Sequence, residues 1–112
     1  MAVEEKIMGD VAVLSVSGKL MGGRETNEVH AKLKGLISGG IKQVVFDLSK
    51  VKRMNSQGFG MLMACYTSLR NIDGKLQIAG ATAKMKDLLM ITKLNTVFET
   101  FETADEAVQS FG

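Results

Sequence analysis

Few side chains in this sequence could do chemistry, and the setting of each narrows what that chemistry is. Ser56 stands in Asn55-Ser56-Gln57-Gly58-Phe59-Gly60, between a polar stretch and a long apolar one. A serine at a helix start accepts a hydrogen bond from an orphan amide of the first turn, and so acts as a cap. The same place suits a phosphate, because free N–H groups and the positive end of the helix dipole favour a dianion. On position alone the cap is the stronger reading. Gly58 and Gly60 would leave the backbone open to close approach by a partner.

The other candidates are weaker. Cys65 lies inside the apolar run Met61-Leu62-Met63-Ala64-Cys65-Tyr66 with no base beside it, so it reads as a small hydrophobe. His30, between Val29 and Leu33, reads as a half-exposed surface histidine and lacks the helix-start setting of a phosphocarrier. A single cysteine allows no internal disulfide, and a single histidine makes no metal-ligating cluster. No cofactor or metal is expected, and with no second catalytic group converging on Cys65 or His30, no enzyme is expected either. Asp47 closes an apolar strand at the rim where α/β sheets bind ligands. It either orients the Ser56 loop or caps the loop that follows it. Lys50, Lys52 and Arg53 place three cations just ahead of Ser56. They form a solvated loop, a docking patch for an acidic partner, or a counter-charge for phosphoserine. Met21, Met54, Met61 and Met63 gather near the same region, and methionine adapts to partners of varied shape. Met21 is the one expected to be exposed.

The elements that position these residues follow from periodicity and from glycine, since the chain has twelve glycines and no proline. Gly9-Asp10 predicts a hairpin between Val3–Met8 and Val11–Val16, with Gly18 closing the second strand. Gly22-Gly23 marks a loop. From Arg24, the residues Val29, Leu33, Leu36 and Ile37 line one face of a helix that Gly39-Gly40 ends. Val44–Leu48 reads as a strand buried on both faces, Ser49–Arg53 as a polar loop, and the stretch opening at Ser56 as a helix. Asn71–Gly74 is a turn and Lys75–Ala79 a strand. Residues 82–92 predict a helix packed through Met85, Leu88, Leu89 and Thr92. Val97–Phe101 is a last strand, and Thr103 introduces a final helix lined by Ala104, Ala107, Val108 and Phe111. The order β-β-α-β-α-β-α-β-α predicts a small α/β domain with a mostly parallel central sheet, one antiparallel strand and about four helices.

Length and charge bound the class. A chain of 112 residues hides roughly 65% of its accessible surface on folding, enough for one core, so one domain over residues 1–112 is expected. The net charge of +2 is spread along the chain, which argues against a nucleic-acid partner. No run approaches the length of a membrane span, and from Met-Ala-Val-Glu-Glu-Lys no signal peptide is expected. A cytoplasmic monomer is expected.

Against that frame of elements, Val44 to Phe111 resembles the STAS domain of anti-sigma factor antagonists. The family pattern is a hydrophobic strand ending in Asp-Leu, a short loop, and Asp-Ser-Ser/Thr-Gly-Leu-Gly opening a helix. Here stand Asp47-Leu48 and then Asn55-Ser56-Gln57-Gly58-Phe59-Gly60. Asp73-Gly74-Lys75-Leu76, Leu88–Leu94, Val97-Phe98-Glu99 and Thr103-Ala104-Asp105-Glu106-Ala107 extend the match, and Ser17-Gly18-Lys19-Leu20 matches the family's Gly-Glu-Leu-Asp strand end more loosely.

The resemblance implies a binding switch. The unmodified protein would bind an anti-sigma factor that is also a serine kinase, and so free a sigma factor. Phosphorylation of Ser56 would weaken that complex, and a serine phosphatase would restore it. The partner-binding residues implied are Met21-Gly22-Gly23 and Met54-Asn55-Ser56-Gln57-Gly58-Phe59-Gly60. The chain departs from the pattern at Asn55 for Asp, Gln57 for Ser or Thr, Lys19 for Glu and Met21 for Asp. These departures open an alternative: a STAS-type regulatory or structural subunit, for example of a membrane transporter ATPase or stress-signalling complex, that docks without phosphorylation.

Overall fold

The computed structural model describes residues 3–111. Met1, Ala2 and Gly112, the ends of the expected domain, lie outside the described residues. Gly9, at φ 65°, turns β1 (Val3–Met8) back onto β2 (Val11–Leu20), antiparallel with Met8 opposite Val11. Helix α1 (Arg24–Ser38) follows and buries Val29, Leu33 and Leu36 of the predicted stripe, with Ile37 half-buried beside them and Thr26, not predicted, buried as well. It stops where Gly40, at φ 97°, lets Ile41 N–H reach back to the Leu36 carbonyl. The chain continues through β3 (Gln43–Met54), α2 (Ser56–Arg70), β4 (Lys75–Ala79), α3 (Ala83–Ile91), β5 (Glu99–Phe101) and α4 (Ala104–Ser110).

The five strands lie in sequence order, with β1 antiparallel to β2 and every later pair parallel. Each β-α-β crossover steps the same way along the sheet. Crossovers share one hand, so α1, α2 and α3 land on one face. There they close the main core with Leu14, Phe46, Leu48 and Ile78. Among the described residues only α4 covers the other face, setting Ala107 against Val11, Val13, Val45 and Ala79. This is the expected small α/β fold: a mixed five-stranded sheet with one antiparallel pair and four helices.

Four expectations need correction. Ser49–Arg53 is not a loop: β3 runs on to Met54, paired with the far end of β2 through Ser17↔Lys50 and Leu20↔Met54. Gly18 does not close β2. It sits within the strand at φ 86°, where two register shifts bulge the ladder. Val97 and Phe98 are not strand. A 3-10 turn over Leu94–Thr96 draws Phe98 N–H to the Leu94 carbonyl and sends the Phe98 ring into the core, leaving three residues to pair with β4. Finally, α3 packs through Met85 and Leu89 alone: Leu88 is 38% exposed, and Thr92 is exposed with its hydroxyl donating to the Leu88 carbonyl.

Candidate functional site

The two predicted segments, Met21–Gly23 and Met54–Gly60, meet at the carboxyl ends of β2 and β3. The parallel register places Leu20 beside Met54, so the turn after β2 and the start of α2 emerge together. Asn55 ties them. Its N–H donates to the Leu20 carbonyl at 3.3 Å, and its Nδ2 donates to the Met21 carbonyl at 3.1 Å. The Gln57 side chain lies over Gly22, where an added Cβ would strike its Oε1. Gly22 and Gly23, at φ 89° and 81°, occupy the left-handed region that favours glycine. Gly22 N–H is anchored by donating to Oγ1 of the buried Thr26.

Asn55, and not Ser56, caps α2. Its Oδ1 accepts from the N–H groups of Gln57 and Gly58, both at 3.0 Å. Asparagine is at least as good a cap as serine, and occupying the position one residue earlier releases the serine. Ser56 is therefore the first helical residue, exposed, and its hydroxyl has no hydrogen-bond partner among the described residues. The cap role expected of Ser56 is overturned, and a free hydroxyl stands at the positive end of a fifteen-residue helix.

Gly58 also departs from expectation. It is buried, and a side chain there would drive into the Leu20 carbonyl, so it permits β2 and α2 to touch and is not open to a partner. Gly60 is exposed with open space around it, and Phe59 is half-buried against the core. Met21 is 40% exposed, as expected; Met54 and Met63 are half-buried and Met61 is core. Asp47 does not reach the Ser56 segment: its Oδ1 accepts from the Ser49 N–H at 3.1 Å and the Ser49 hydroxyl at 2.8 Å, a local cap. Lys50, Lys52 and Arg53 are exposed on β3.

The nucleophile and base candidates lie elsewhere. Cys65 is fully buried and its Sγ donates to Met61 Sδ at 3.5 Å; burial pushes the thiol up to about 12, with nearby Lys34 opposing weakly. His30 is half-buried on α1, and burial and then Lys34 lower its pKa. Its Nε2 is covered and unpaired among the described residues.

The site also holds a groove. Because β4 pairs with β3 only as far as Asp47, and Gly80 turns the chain away against Ser49, the last residues of β3 have no strand on that side. A groove of about 920 Å³ opens there between β3 and α3 and runs to Asn55 and Met21. The signal for it lay in Leu88-Leu89-Met90-Ile91: four consecutive apolar residues span about 300° of a helix and cannot all face one core.

Comparison with known proteins supports the architecture. An anti-sigma factor antagonist from Mycobacterium paratuberculosis is similar with a TM-score of 0.80 at 23% identity, covering 96% of this chain and 91% of that one. The Bacillus cell fate determinant SpoIIAA in its phosphorylated form gives a TM-score of 0.81 at 16% identity, covering 99% and 100%. A sulfate transporter family protein from Wolinella succinogenes gives 0.71 at 14%, covering 94% and 87%. Identities this low show a shared fold. The STAS domain profile, in contrast, matches residues 2–107 of the sequence itself. The chain belongs to the STAS domain family.

Proposed function

We propose that this protein is an anti-sigma factor antagonist of the phosphorylation-controlled type, a partner switch and not an enzyme. One observation carries this reading: Asn55 takes over the cap, leaving the Ser56 hydroxyl exposed and unengaged at a helix N-terminus. A kinase can reach that hydroxyl, and the helix start tolerates the product. With Ser56 unmodified, the Met21–Gly23 turn and the Met54–Gly60 segment dock against an anti-sigma factor that is itself a serine kinase. Phosphorylation adds about −1.5 to −2 charges at that contact and drives the partners apart through repulsion and desolvation. A serine phosphatase reverses it. Neither step needs a cofactor on this chain.

A second reading is favoured by Asn55 and Gln57, which stand where the family carries an acidic residue and a second hydroxyl. Under it, the same surface docks to a regulatory or transport complex, such as a transporter ATPase, without modification.

Capture from native cell extract separates the two, using the tagged native chain and its Ser56→Ala and Ser56→Asp forms. The switch predicts recovery of a serine kinase by the native and Ala forms and its loss with Asp. Capture of a transporter ATPase that is indifferent to the Asp change supports the second reading. Incubation with ATP and the captured kinase then adds the mass of one phosphate to the native chain and none to Ser56→Ala. An equal gain on Ser56→Ala rejects the site.

A further inference from the structure

The groove beside Ser56 has two unlike walls. On one side it touches Val51, Lys52, Arg53, Met54 and Asn55 in unbroken succession. Side chains of a strand alternate between its faces, so a groove that meets the four consecutive strand residues Val51–Met54, with Asn55 just beyond, runs along the strand's edge. That edge belongs to the part of β3 beyond Asp47, where β4 has stopped pairing. On the other side the groove touches Lys84, Asp87, Leu88 and Ile91, whose spacing of three, four and seven defines one face of α3. Leu48 and Met85 close the floor.

An open strand edge facing an apolar helix face is the geometry that accepts an added strand: the ladder supplies main-chain hydrogen bonds and the helix wall selects side chains. Ile91 is 78% exposed and Leu88 38%, so the apolar wall has no cover from the described residues. Lys52, Arg53 and Lys84 set three cations on the rim against the single anion Asp87. That balance selects an acidic segment over a basic one.

We infer that the β3–α3 groove binds an extended, acidic segment of a partner protein as an additional strand alongside β3. Apolar residues of the segment face Leu88 and Ile91, and acidic ones face Lys52, Arg53 and Lys84. The inference rests on the reading of Ser56 as the partner switch and gives the partner's chemistry. Asn55 lines the end of the groove, so a phosphate on Ser56 sets like charge against the incoming segment.

The probe is a fluorescein-labelled eight-residue peptide of alternating Glu and Val, followed by anisotropy. Its controls are the same peptide N-methylated at alternate residues, the Lys/Val analogue, and an amphipathic helical peptide rich in Glu and Leu. Expected are saturable binding of the Glu/Val peptide and at least about tenfold weakening by N-methylation, by Ile91→Asp and by Arg53→Glu. The Lys/Val analogue should bind more weakly than the acidic one. Both substitutions lie on the surface, and unchanged melting temperatures establish that the variants fold. Four results would each overturn the inference: no binding of the Glu/Val peptide, equal affinity after N-methylation, tighter binding of the helical peptide, or self-association of the native chain that Ile91→Asp abolishes. Weakening of peptide binding by Ser56→Asp links the groove to the switch. If Ile91→Asp and N-methylation weaken binding but Ser56→Asp does not, the groove stands and its coupling to Ser56 falls, while loss of the kinase with Ser56→Asp remains the test of the switch.

Discussion

Which residue caps a helix decides whether its neighbour is available for chemistry. Asn55 satisfies two amides of α2 and holds the Met21 turn, so Ser56 is left with a free hydroxyl. Replacing Asn55 with Ala should destabilise the fold by about 1 kcal/mol, measured by urea denaturation, through loss of the cap. The buried Cys65 thiol, pushed up to about 12 and surrounded by core, should react with iodoacetamide only as fast as the chain opens. Labelling of the native fold at the rate of a free thiol would refute that. His30 makes the fold sensitive to pH. Burial, and then Lys34, favour its neutral form in the fold, so the unfolded chain takes up the proton first as pH falls. Stability is therefore unaffected by this group above its ordinary value of 6.5 and declines as pH drops below it, until the folded ring is also protonated. Melting temperature from about pH 7.5 to about pH 5 should fall more steeply for the native chain than for His30→Gln.

At the scale of elements, the contact between β2 and α2 depends on one missing side chain. Gly58 lies against the Leu20 carbonyl, backbone on backbone, and neither wall can yield as a flexible side chain would. Gly58→Ala should cost about 2–3 kcal/mol in denaturant unfolding, whereas Gly60→Ala, facing open space in a helix, should be neutral or slightly stabilising. The order of elements was legible in the sequence where one periodicity dominates. Val29, Leu33 and Leu36 mark α1 unambiguously, and Thr103 before Ala104 and Ala107 marks α4, whose N-cap it forms. Legibility failed where β3 outruns β4. There the strand pairs on one side only, and both its faces come near solvent, so Lys50, Lys52 and Arg53 are tolerated and mimic a loop. Hydrophobic patterning reports burial, and across Ser49–Met54 of this extended stretch Val51 alone is buried. The same limit hid the cap: serine and asparagine compete for it on nearly equal terms, and only backbone geometry chooses between them.

Across the whole molecule, the fold separates the core from the surface of the proposed switch. Three helices on one face and a single helix on the other build the core, while the loops and groove of the proposed contact collect where β2 and β3 end. Parallel pairing of β2 with β3 is what brings Met21 and Asn55 together from opposite sides of α1 in the sequence. A charge added at Ser56 therefore falls at the seam between the two proposed docking segments without touching the core, and the modified chain should stay folded while its affinity changes. The measurement that tests this most directly is calorimetric titration of the captured anti-sigma kinase with the unmodified chain and with the chain phosphorylated at Ser56. The account predicts binding of the unmodified chain and a loss of about 3 kcal/mol, more than a hundredfold in affinity, on phosphorylation. Equal affinities for the two forms would contradict it.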